Sequence, residues 1–211
     1  SPCCIGLPTN LGTLLIFGSI VSVLIAAPIA LWAGNQVRKS NAASRDLLKL
    51  SQTDHLSGAR SRAYLDTFIK ESPNISGVIL MIDVDHFKAI NDTHGHIIGD
   101  QAISKIGQMI KSNIREKDSF YRFGGEEFVV FLADTTQEIG RGIATRICQS
   151  IANTPIVHND KQFFVTVSIG GAIKHEMNPF KASLAQADKN LYHVKQSGRN
   201  NVNFDDLTTV N

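Results

Sequence analysis

Cysteine is scarce in this chain of 211 residues, where only Cys3, Cys4 and Cys148 occur. An odd number of cysteines without a repeated spacing argues against both a disulfide framework and a cysteine-rich zinc site. Cys148 falls within an apolar helical pattern, which predicts a small core residue. Cys3 and Cys4 could pair with each other or be acylated, but an incidental occurrence is the preferred interpretation.

Charge is absent from Ser1 to Val37, and the net charge of the whole chain is only +2. The charged residues of positions 1–53 are Arg38, Lys39, Arg45, Lys49 and Asp46. They give that part a net charge of +3 and leave −1 for the remainder, which has no basic stripe. A near-neutral domain of this kind is a poor candidate for sequence-independent binding of nucleic acid. With 43% hydrophobic and 19% charged residues, the composition is that of a globular domain.

A single long apolar run, Leu11–Trp32, stands out near the N-terminus. As a helix, its length of about 22 residues could cross the roughly 30 Å hydrocarbon layer of a membrane. Trp32 stands where an interfacial aromatic residue is expected, and the following Arg38 and Lys39 predict a cytoplasmic C-terminal side. A cleaved signal peptide is disfavoured because no basic residue precedes the run. We therefore predict a transmembrane segment within residues 1–34.

Residues 35–53 are polar and compatible with a helix. They have too few apolar repeats to establish a coiled coil, so a short signalling helix and a plain linker both remain open. The folded domain is predicted at residues 54–205, and residues 206–211 form a C-terminal tail. No internal repeat or low-complexity segment is evident.

The domain has the hydrophobic pattern of an α+β fold. The predicted helices are Ser61–Glu71, Gly99–Asn113, Thr136–Asn153 and Phe180–Gln196. The predicted strands are Val78–Val84, Phe120–Phe123, Phe128–Leu132 and Phe163–Ile173. A helix followed by a β-α-β-β-α-β series predicts a ferredoxin-like, palm-type antiparallel sheet, with helices covering one side of it.

Two acidic features are expected to meet in this topology. The strand at residues 78–85 ends in Asp83 and Asp85, and the hairpin turns at Gly124-Gly125-Glu126-Glu127. The first strand should lie centrally, beside the hairpin, so that the carboxylates converge on one edge of the sheet. Clustered carboxylates stay ionised only with a cation between them, and Mg²⁺ bound with substrate phosphates fits that need. The paired glycines would allow positive φ and let a nucleotide approach the backbone.

Three ordered segments resemble the GGDEF family of diguanylate cyclases. They are residues 83–100, residues 122–128 (Arg-Phe-Gly-Gly-Glu-Glu-Phe) and residues 187–200. In the second segment Glu126 takes the place of the Asp in the family's name, a common variant. The resemblance covers about residues 53–204. It implies condensation of two GTP molecules into cyclic di-GMP and pyrophosphate, by attack of a 3′-hydroxyl on an α-phosphate.

The resemblance also implies a role for each matching position. Metal would be bound by Asp83, the backbone carbonyl of Val84 and Glu126. Glu126 would lie near the 3′-hydroxyl that loses its proton, and Glu127 would support the same site. Asn91 and Asp100 would contact the guanine. The phosphates would be bound by the backbone of His86, Phe87 and Lys88, the turn glycines Gly124 and Gly125, and the side chains of Lys195 and Arg199. Two Mg²⁺ ions per site, or Mn²⁺ in their place, would activate the attacking oxygen and neutralise the pyrophosphate.

These roles have plainer alternatives on the residues alone. Lys195 and Arg199, near a helix end, could merely complement the helix dipole. Asn91 and Asp100 could be turn and helix-cap residues. The sequence His94-Gly-His96 hints at a metal site, but the lack of a third ligand favours structural loop histidines.

A possible regulatory site precedes the glycine turn. Arg115 and Asp118 form an Arg-x-x-Asp sequence where many family members bind their product as an inhibitor, and Arg146 could add a basic contact. The segment at residues 54–62 departs from the family's usual pattern at three positions, which concerns local packing or signal coupling rather than the metal site. The resemblance and the apolar run together imply a single-pass protein of the bacterial inner membrane with a cytoplasmic catalytic domain.

Two functions are consistent with these observations. An active cyclase would work as a homodimer, because each domain offers one nucleotide site and the product joins two nucleotides. The alternative is a catalytically silent domain that binds cyclic di-GMP or GTP as a sensor. The chain keeps the signature acids and the guanine-reading pair, which favours the cyclase. An adenylate-type cyclase is disfavoured by the Gly-Gly-Glu-Glu-Phe hairpin.

Overall fold

The computed structural model describes residues 24–29, 31–32, 52–72, 74–158 and 161–204, within two compact units at residues 1–50 and 51–211. In the first unit, residues 24–29 and 31–32 are helical and exposed. None of the helices in the described part of the chain has the length and apolar character that a membrane crossing requires. Several predictions concern residues that lie outside the described ones. These residues are most of the predicted span Leu11–Trp32, the two cysteines Cys3 and Cys4, residues 35–51 and residues 206–211.

The second unit is built on a six-stranded mixed sheet. Its strands are β1 (Arg60–Ser61), β2 (Gly77–Val84), β3 (Ser119–Arg122), β4 (Glu127–Ala133), β7 (Val167–Lys174) and β8 (Val202–Phe204). Their order across the sheet is β1-β3-β4-β2-β7-β8, and β5 (Ile156–His158) pairs with β6 (Lys161–Phe163) in a separate hairpin. Strand β2 is antiparallel to both of its neighbours, β4 and β7. The predicted central place of the first long strand, beside the β3–β4 hairpin, is confirmed.

Five helices of the described domain pack on this sheet or beside it. They are α1 (Arg62–Glu71), α2 (Phe87–His94), α3 (His96–Ser112), α4 (Gln137–Ala152) and α5 (Phe180–Gln196). Helix α1 begins where the Ser61 hydroxyl accepts the backbone N–H of Tyr64, and α4 begins where Thr136 accepts that of Ile139. Ser61 and Thr136 are therefore N-caps, so both helices start one residue later than predicted. The bounds predicted for α5 are confirmed.

Both faces of the sheet are covered, so the prediction of helices on one side was wrong. On one face, Val78, Leu80 and Ile82 of β2 pack against buried residues of α3 and α4. On the other, Ile79 and Met81 pack against Leu65 of α1 and the buried face of α5. All eight residues of β2 are buried as a result. Cys148 is a buried free thiol in the first of these cores, as predicted.

The structure differs from the predicted elements in further places: the short strands β1, β5 and β8 were not predicted, and the bounds of β2, β3 and β4 shift by one residue at one or both ends. Helix α2 was not predicted, and α3 begins at His96 rather than Gly99. The predicted strand Phe163–Ile173 is divided, because β6 ends at Phe163 and β7 begins at Val167. Between them, the carbonyl of Thr166 accepts the backbone N–H of Asp85, and its hydroxyl donates to the Asp85 carboxylate. These bonds continue the register of the β2–β7 pair by one residue, so the predicted strand is interrupted between Phe163 and Thr166.

Candidate active site

The acidic end of β2 and the β3–β4 turn lie side by side. Asp83 is the cross-strand partner of Glu127, and the backbone N–H of Val84 donates to the carbonyl of Glu126 at 3.2 Å. Two acids directly opposite each other on a ladder repel, which destabilises the pair unless a cation compensates. The sheet thus brings the carboxylates to one edge, as its topology predicts.

A lysine from α5 supplies positive charge at this edge. The Lys195 ammonium lies 2.9 Å from Oδ2 of Asp83, whose side chain is 11% exposed. Burial raises the pKa of Asp83; Lys195 opposes that rise, and the nearby charges of Glu126 and Asp85 add to it. The outcome is a carboxyl held above its ordinary pKa, because burial and like charges outweigh one ion pair.

Glu127 is affected in the same direction. Burial raises its pKa, and the charge of Asp83 raises it further, while Lys195 lowers it. The two acids therefore share one electrostatic environment with too little positive charge. A divalent cation at this edge would reverse the balance and favour both ionised forms.

The donor set fits a hard divalent cation that also binds substrate. Asp83 and Glu126 offer carboxylates, and Val84, whose carbonyl is the predicted third ligand, follows Asp83 and donates its backbone N–H to the carbonyl of Glu126. Among the described residues, no group of three or more His, Cys, Asp or Glu side chains forms a metal cage. Mg²⁺ commonly binds through one or two carboxylates and completes its shell with water and phosphate oxygens. Lys195 marks where cationic charge is favoured.

The backbone conformation of the two turn glycines differs from the prediction. Neither Gly124 nor Gly125 has a positive φ, so the expectation of left-handed backbone was wrong. A Cβ at Gly124 would instead collide with the carboxylate of Glu127. A Cβ at Gly125 would meet no described atom within 4 Å, so this exposed position leaves open space beside the turn. The expected close approach of a ligand to the backbone therefore has room at Gly125.

The start of α2 offers backbone donors next to Asp83. His86 is the N-cap in a left-handed conformation, with φ of 56°, and its side chain makes no capping hydrogen bond. The amides that follow, at Phe87 and Lys88, are among the first N–H groups of a helix, which have no partner within the helix. Such groups and the helix dipole favour an anion. This is the segment predicted to hold phosphates.

The predicted guanine-reading pair lies on the two short-linked helices α2 and α3. Asn91 Oδ1 is buried and has no hydrogen-bond partner among the described residues. A Cβ at Gly99 would collide with this oxygen and lie within 3.3 Å of the Phe87 ring. Asp100 follows on α3 and is exposed. A buried acceptor without a donor is costly, so Asn91 is suited to receive one from a ligand.

Asp85 has a different task from Asp83. Its carboxylate accepts from the hydroxyls of Thr166 and Ser168, at 2.7 and 2.6 Å, and from the backbone N–H of Asn200 at 3.1 Å. Three donors within the protein occupy the Asp85 carboxylate, so it is less suited than that of Asp83 to bind a metal ion. Arg199 precedes Asn200, and both have positive φ, of 65° and 44°. Asp85 thereby holds the turn that carries the predicted phosphate residue Arg199.

His94 and His96 form no metal site with the described residues. The His94 ring stacks on Phe163 with centroids 4.9 Å apart. This contact ties α2 to the β5–β6 hairpin and accords with the structural role that was favoured.

The predicted inhibitory site lies on the surface between α3 and β3. Asp118 accepts the backbone N–H groups of Arg115, at 2.8 Å, and Ala133, at 3.1 Å. Arg115 lines one cavity of about 360 Å³ with Arg60 and Lys111. It also lines a second, of about 470 Å³, that includes Arg146. Arg146 donates to the side chain and carbonyl of Asn113, at 2.9 and 2.6 Å. Glu116 and Asp118 also line the first cavity, so its basic residues exceed its acidic ones by one, whereas the charged residues of the second are both basic.

Sequence comparison identifies the family. The profile described as "Diguanylate cyclase, GGDEF domain" matches residues 51–201, which is most of the chain. The chain therefore belongs to the GGDEF family, and its mixed α+β domain is the GGDEF fold.

Named relatives share this domain. The chain is 38% identical over 166 residues to Diguanylate cyclase A of Treponema denticola, covering 74% of this chain and 45% of that protein. It is 39% identical over 164 residues to the response regulator PleD of Caulobacter vibrioides, covering 74% of this chain and 36% of that protein. The chain thus spans less than half the length of these two curated relatives.

Solved structures agree with the fold. The GGDEF domain of DgcB from Caulobacter crescentus, in complex with c-di-GMP, superposes with a TM-score of 0.68 at 26% identity, covering 72% of this chain and 92% of that one. The diguanylate cyclase SiaD of Pseudomonas aeruginosa, in complex with its activator SiaC, gives a TM-score of 0.70 at 28% identity, covering 92% and 75%.

Proposed function

We propose that this chain is an active diguanylate cyclase that joins two GTP molecules into cyclic di-GMP. The observation that carries the proposal is the edge where Asp83, Glu126 and Glu127 meet Lys195, next to the uncapped start of α2. Acidic groups for a metal and donors for phosphates are adjacent there, as a nucleotidyl transfer requires. Family membership and relatives named as diguanylate cyclases support the same reaction.

In the proposed reaction, the 3′-oxygen of one GTP attacks the α-phosphorus of a second. The new P–O bond replaces the bond to the bridging oxygen, and pyrophosphate leaves. Two such steps close the ring and release two pyrophosphates. Glu126 is the group that receives or directs the proton of the 3′-hydroxyl, and the adjacent Glu127, which lies opposite Asp83 on the ladder, supports the same site.

The protein contributes binding and charge. Asp83, the carbonyl of Val84 and Glu126 would hold Mg²⁺, which when bound supplies charge that activates the 3′-hydroxyl and neutralises pyrophosphate. The first amides of α2, with Lys88, Lys195 and Arg199, hold the phosphates by hydrogen bonds and charge. Asn91 and Asp100 read the guanine, and the unpartnered Oδ1 of Asn91 supports that assignment.

The proposed assembly is a homodimer at the membrane. One domain offers one nucleotide site, so two must face each other for each 3′-hydroxyl to reach the other's phosphate. The apolar run Leu11–Trp32 and the basic residues after it support a single-pass anchor in the bacterial inner membrane, with the domain in the cytoplasm.

Product inhibition is also proposed. The Arg115–Asp118 turn and the cavities beside it, one of which includes Arg146, suit a ligand with two phosphodiester groups, such as cyclic di-GMP. A bound product there would contact the turn that leads into β3, and hence the strand that precedes the glycine turn.

The test is incubation of the purified chain, in detergent, with GTP and Mg²⁺, followed by chromatography of the nucleotides. The parent should release cyclic di-GMP and pyrophosphate, and Glu126→Gln should release neither. Glu71→Gln, at the exposed end of α1, is the matched control and should behave as the parent. No product from the parent at concentrations that force dimerisation would overturn the cyclase proposal. Binding of GTP or cyclic di-GMP by such a chain would then assign it to the sensor class.

A further inference from the structure

The side chain of Arg122 bridges two parts of the domain. Its Nη1 donates to both carboxylate oxygens of Asp54, at 3.0 and 3.1 Å. Its Nε and Nη2 face the other way: Nε lies 3.2 Å from the carbonyl oxygens of both Gly124 and Gly125, and Nη2 donates to that of Gly125 at 2.6 Å. One guanidinium thus joins Asp54 to the turn that carries Glu126.

Asp54 belongs to a tightly closed segment, residues 52–61, which we term the leading segment. The Asp54 carboxylate also accepts from the backbone N–H and hydroxyl of Ser57, at 2.8 and 2.6 Å. The backbone N–H of Asp54 donates to the carbonyl of Ala59, and that of Ser61 donates to Gln52. Because these bonds fix its position, Asp54 can act as a rigid anchor for the guanidinium.

The leading segment touches the hairpin at two more points. Its last residues, Arg60 and Ser61, form β1, which pairs in parallel with Tyr121 and Arg122 of β3. Just beyond it, the Arg62 guanidinium lies 4.2 Å from the centroid of the Phe123 ring. The segment therefore runs along the strand that delivers the chain into the glycine turn.

Backbone hydrogen bonds also restrain the turn, including the one from the N–H of Val84 to the carbonyl of Glu126. Glycine is the residue with the most conformational freedom, and two of them directly precede Glu126. Within the turn, the backbone N–H groups of Phe123 and Gly124 both donate to the carbonyl of Glu127. The carbonyls of Gly124 and Gly125 accept hydrogen bonds from the Arg122 guanidinium. Their orientation, and with it the start of Glu126, is therefore set by a side chain that Asp54 orients.

We propose that Arg122 is a positioning residue for Glu126, and that Asp54 acts through it, so that the leading segment controls the geometry of the catalytic turn. This inference rests on the proposed cyclase function. It assigns to Asp54 an effect on turnover although Asp54 has no contact with the acids of the active site. It also provides a route by which a change in the chain before residue 52 reaches the site.

The experiment compares Asp54→Asn, Arg122→Lys and the double variant, in the full chain, by steady-state kinetics with GTP and Mg²⁺. Misplacement of a catalytic group by about 1 Å can cost about 100-fold in rate, so we expect kcat to fall about 10- to 100-fold in each single variant. The KM for GTP should rise less than kcat falls, because the predicted guanine contacts and the phosphate contacts at the start of α2 lie outside the turn. The double variant should be no slower than Arg122→Lys, because Asp54 acts only through Arg122.

Asp134→Asn is the matched control, since Asp134 forms an exposed ion pair with Lys117 and should leave kcat unchanged. Amide exchange of residues 122–128, followed by mass spectrometry, should be faster in Asp54→Asn while the peptide covering β2 is unaltered. Parent-like kcat and exchange in Asp54→Asn, or independent effects in the double variant, would overturn the proposal. If the parent itself makes no cyclic di-GMP, the cyclase proposal fails, and the exchange measurement alone decides whether Asp54 holds the turn.

Discussion

A Lys195→Met substitution would remove the ammonium group that lies 2.9 Å from the Asp83 carboxylate while keeping an unbranched side chain. Loss of one partner from a buried ion pair costs about 3–5 kcal/mol, and an exposed pair contributes about 0–1 kcal/mol. The side chains of Asp83 and Lys195 are 11% and 32% exposed, which lies between these cases. We therefore expect the free energy of unfolding to fall by about 1–3 kcal/mol in the absence of metal.

The loss should depend on pH, because Asp83 can take up a proton when its partner is gone. Burial raises the pKa of Asp83 above its ordinary value of 3.8, and Lys195 limits that rise. A carboxyl whose pKa is raised on folding contributes its full stability below the unfolded pKa and loses it as the pH rises through the folded pKa. Without Lys195 the pKa of Asp83 rises further, so the variant loses more stability as the pH rises. The free energies of unfolding of variant and parent should be similar at about pH 4 and differ at about pH 7.5.

Urea unfolding at both pH values, followed by circular dichroism with a chelator present, measures this difference. Lys189→Met, at an exposed position of the same helix, is the control and should cost much less. An equal loss at both pH values would refute the electrostatic reasoning and attribute the effect of Lys195 to packing or to the helix dipole.

Three other outcomes follow from the described contacts. Gly99→Ala places a methyl group against Asn91 Oδ1 and should raise the KM for GTP by about tenfold; Gly142→Ala, whose Cβ meets no described atom within 4 Å, should leave it unchanged. Burial raises the pKa of the Cys148 thiol to about 11, so a thiol reagent at neutral pH should label this residue, identified by peptide mapping, only after unfolding; labelling in the folded chain would contradict its place in the core. Arg115→Ala should relieve product inhibition and weaken cyclic di-GMP binding, measured by calorimetry, while initial rates match the parent; unchanged binding would disprove the inhibitory site.

The fold followed from the sequence where hydrophobic patterns are long. Helix α5 and the hairpin strands could be predicted closely, because their apolar residues repeat over many positions. The second layer of helices was missed although β2 is continuously apolar from Val78 to Ile82. Such a run is typical of a strand buried on both faces, whereas a strand covered on one face alternates apolar and polar residues. Helix α2 was missed for lack of length: in its eight residues only Phe87 and Ile90 pack against the core.

The acids of the site could be predicted, whereas the residues that hold them could not. Asp83 and Glu126 carry a recognisable pattern on a strand end and a turn. Arg122 belongs to the same pattern, but its partner Asp54 lies 68 positions away in the sequence, and no local signal pairs them. The hydroxyls of Thr166 and Ser168 meet Asp85 only because β7 lies beside β2. Long-range pairing of this kind depends on the tertiary fold, which a single sequence does not specify locally.

The position of the acids in the candidate site depends on the register of the central strand β2. Side chains of β2 alternate between two filled cores, so Asp83 faces α5 and Lys195 only while the register with β4 is kept. An insertion or deletion of one residue within β2 would turn Val84 toward the lysine and send a carboxylate into the core of α3 and α4. Such a shift of register would therefore displace the candidate metal ligand Asp83 and disrupt the packing of both cores in a single step.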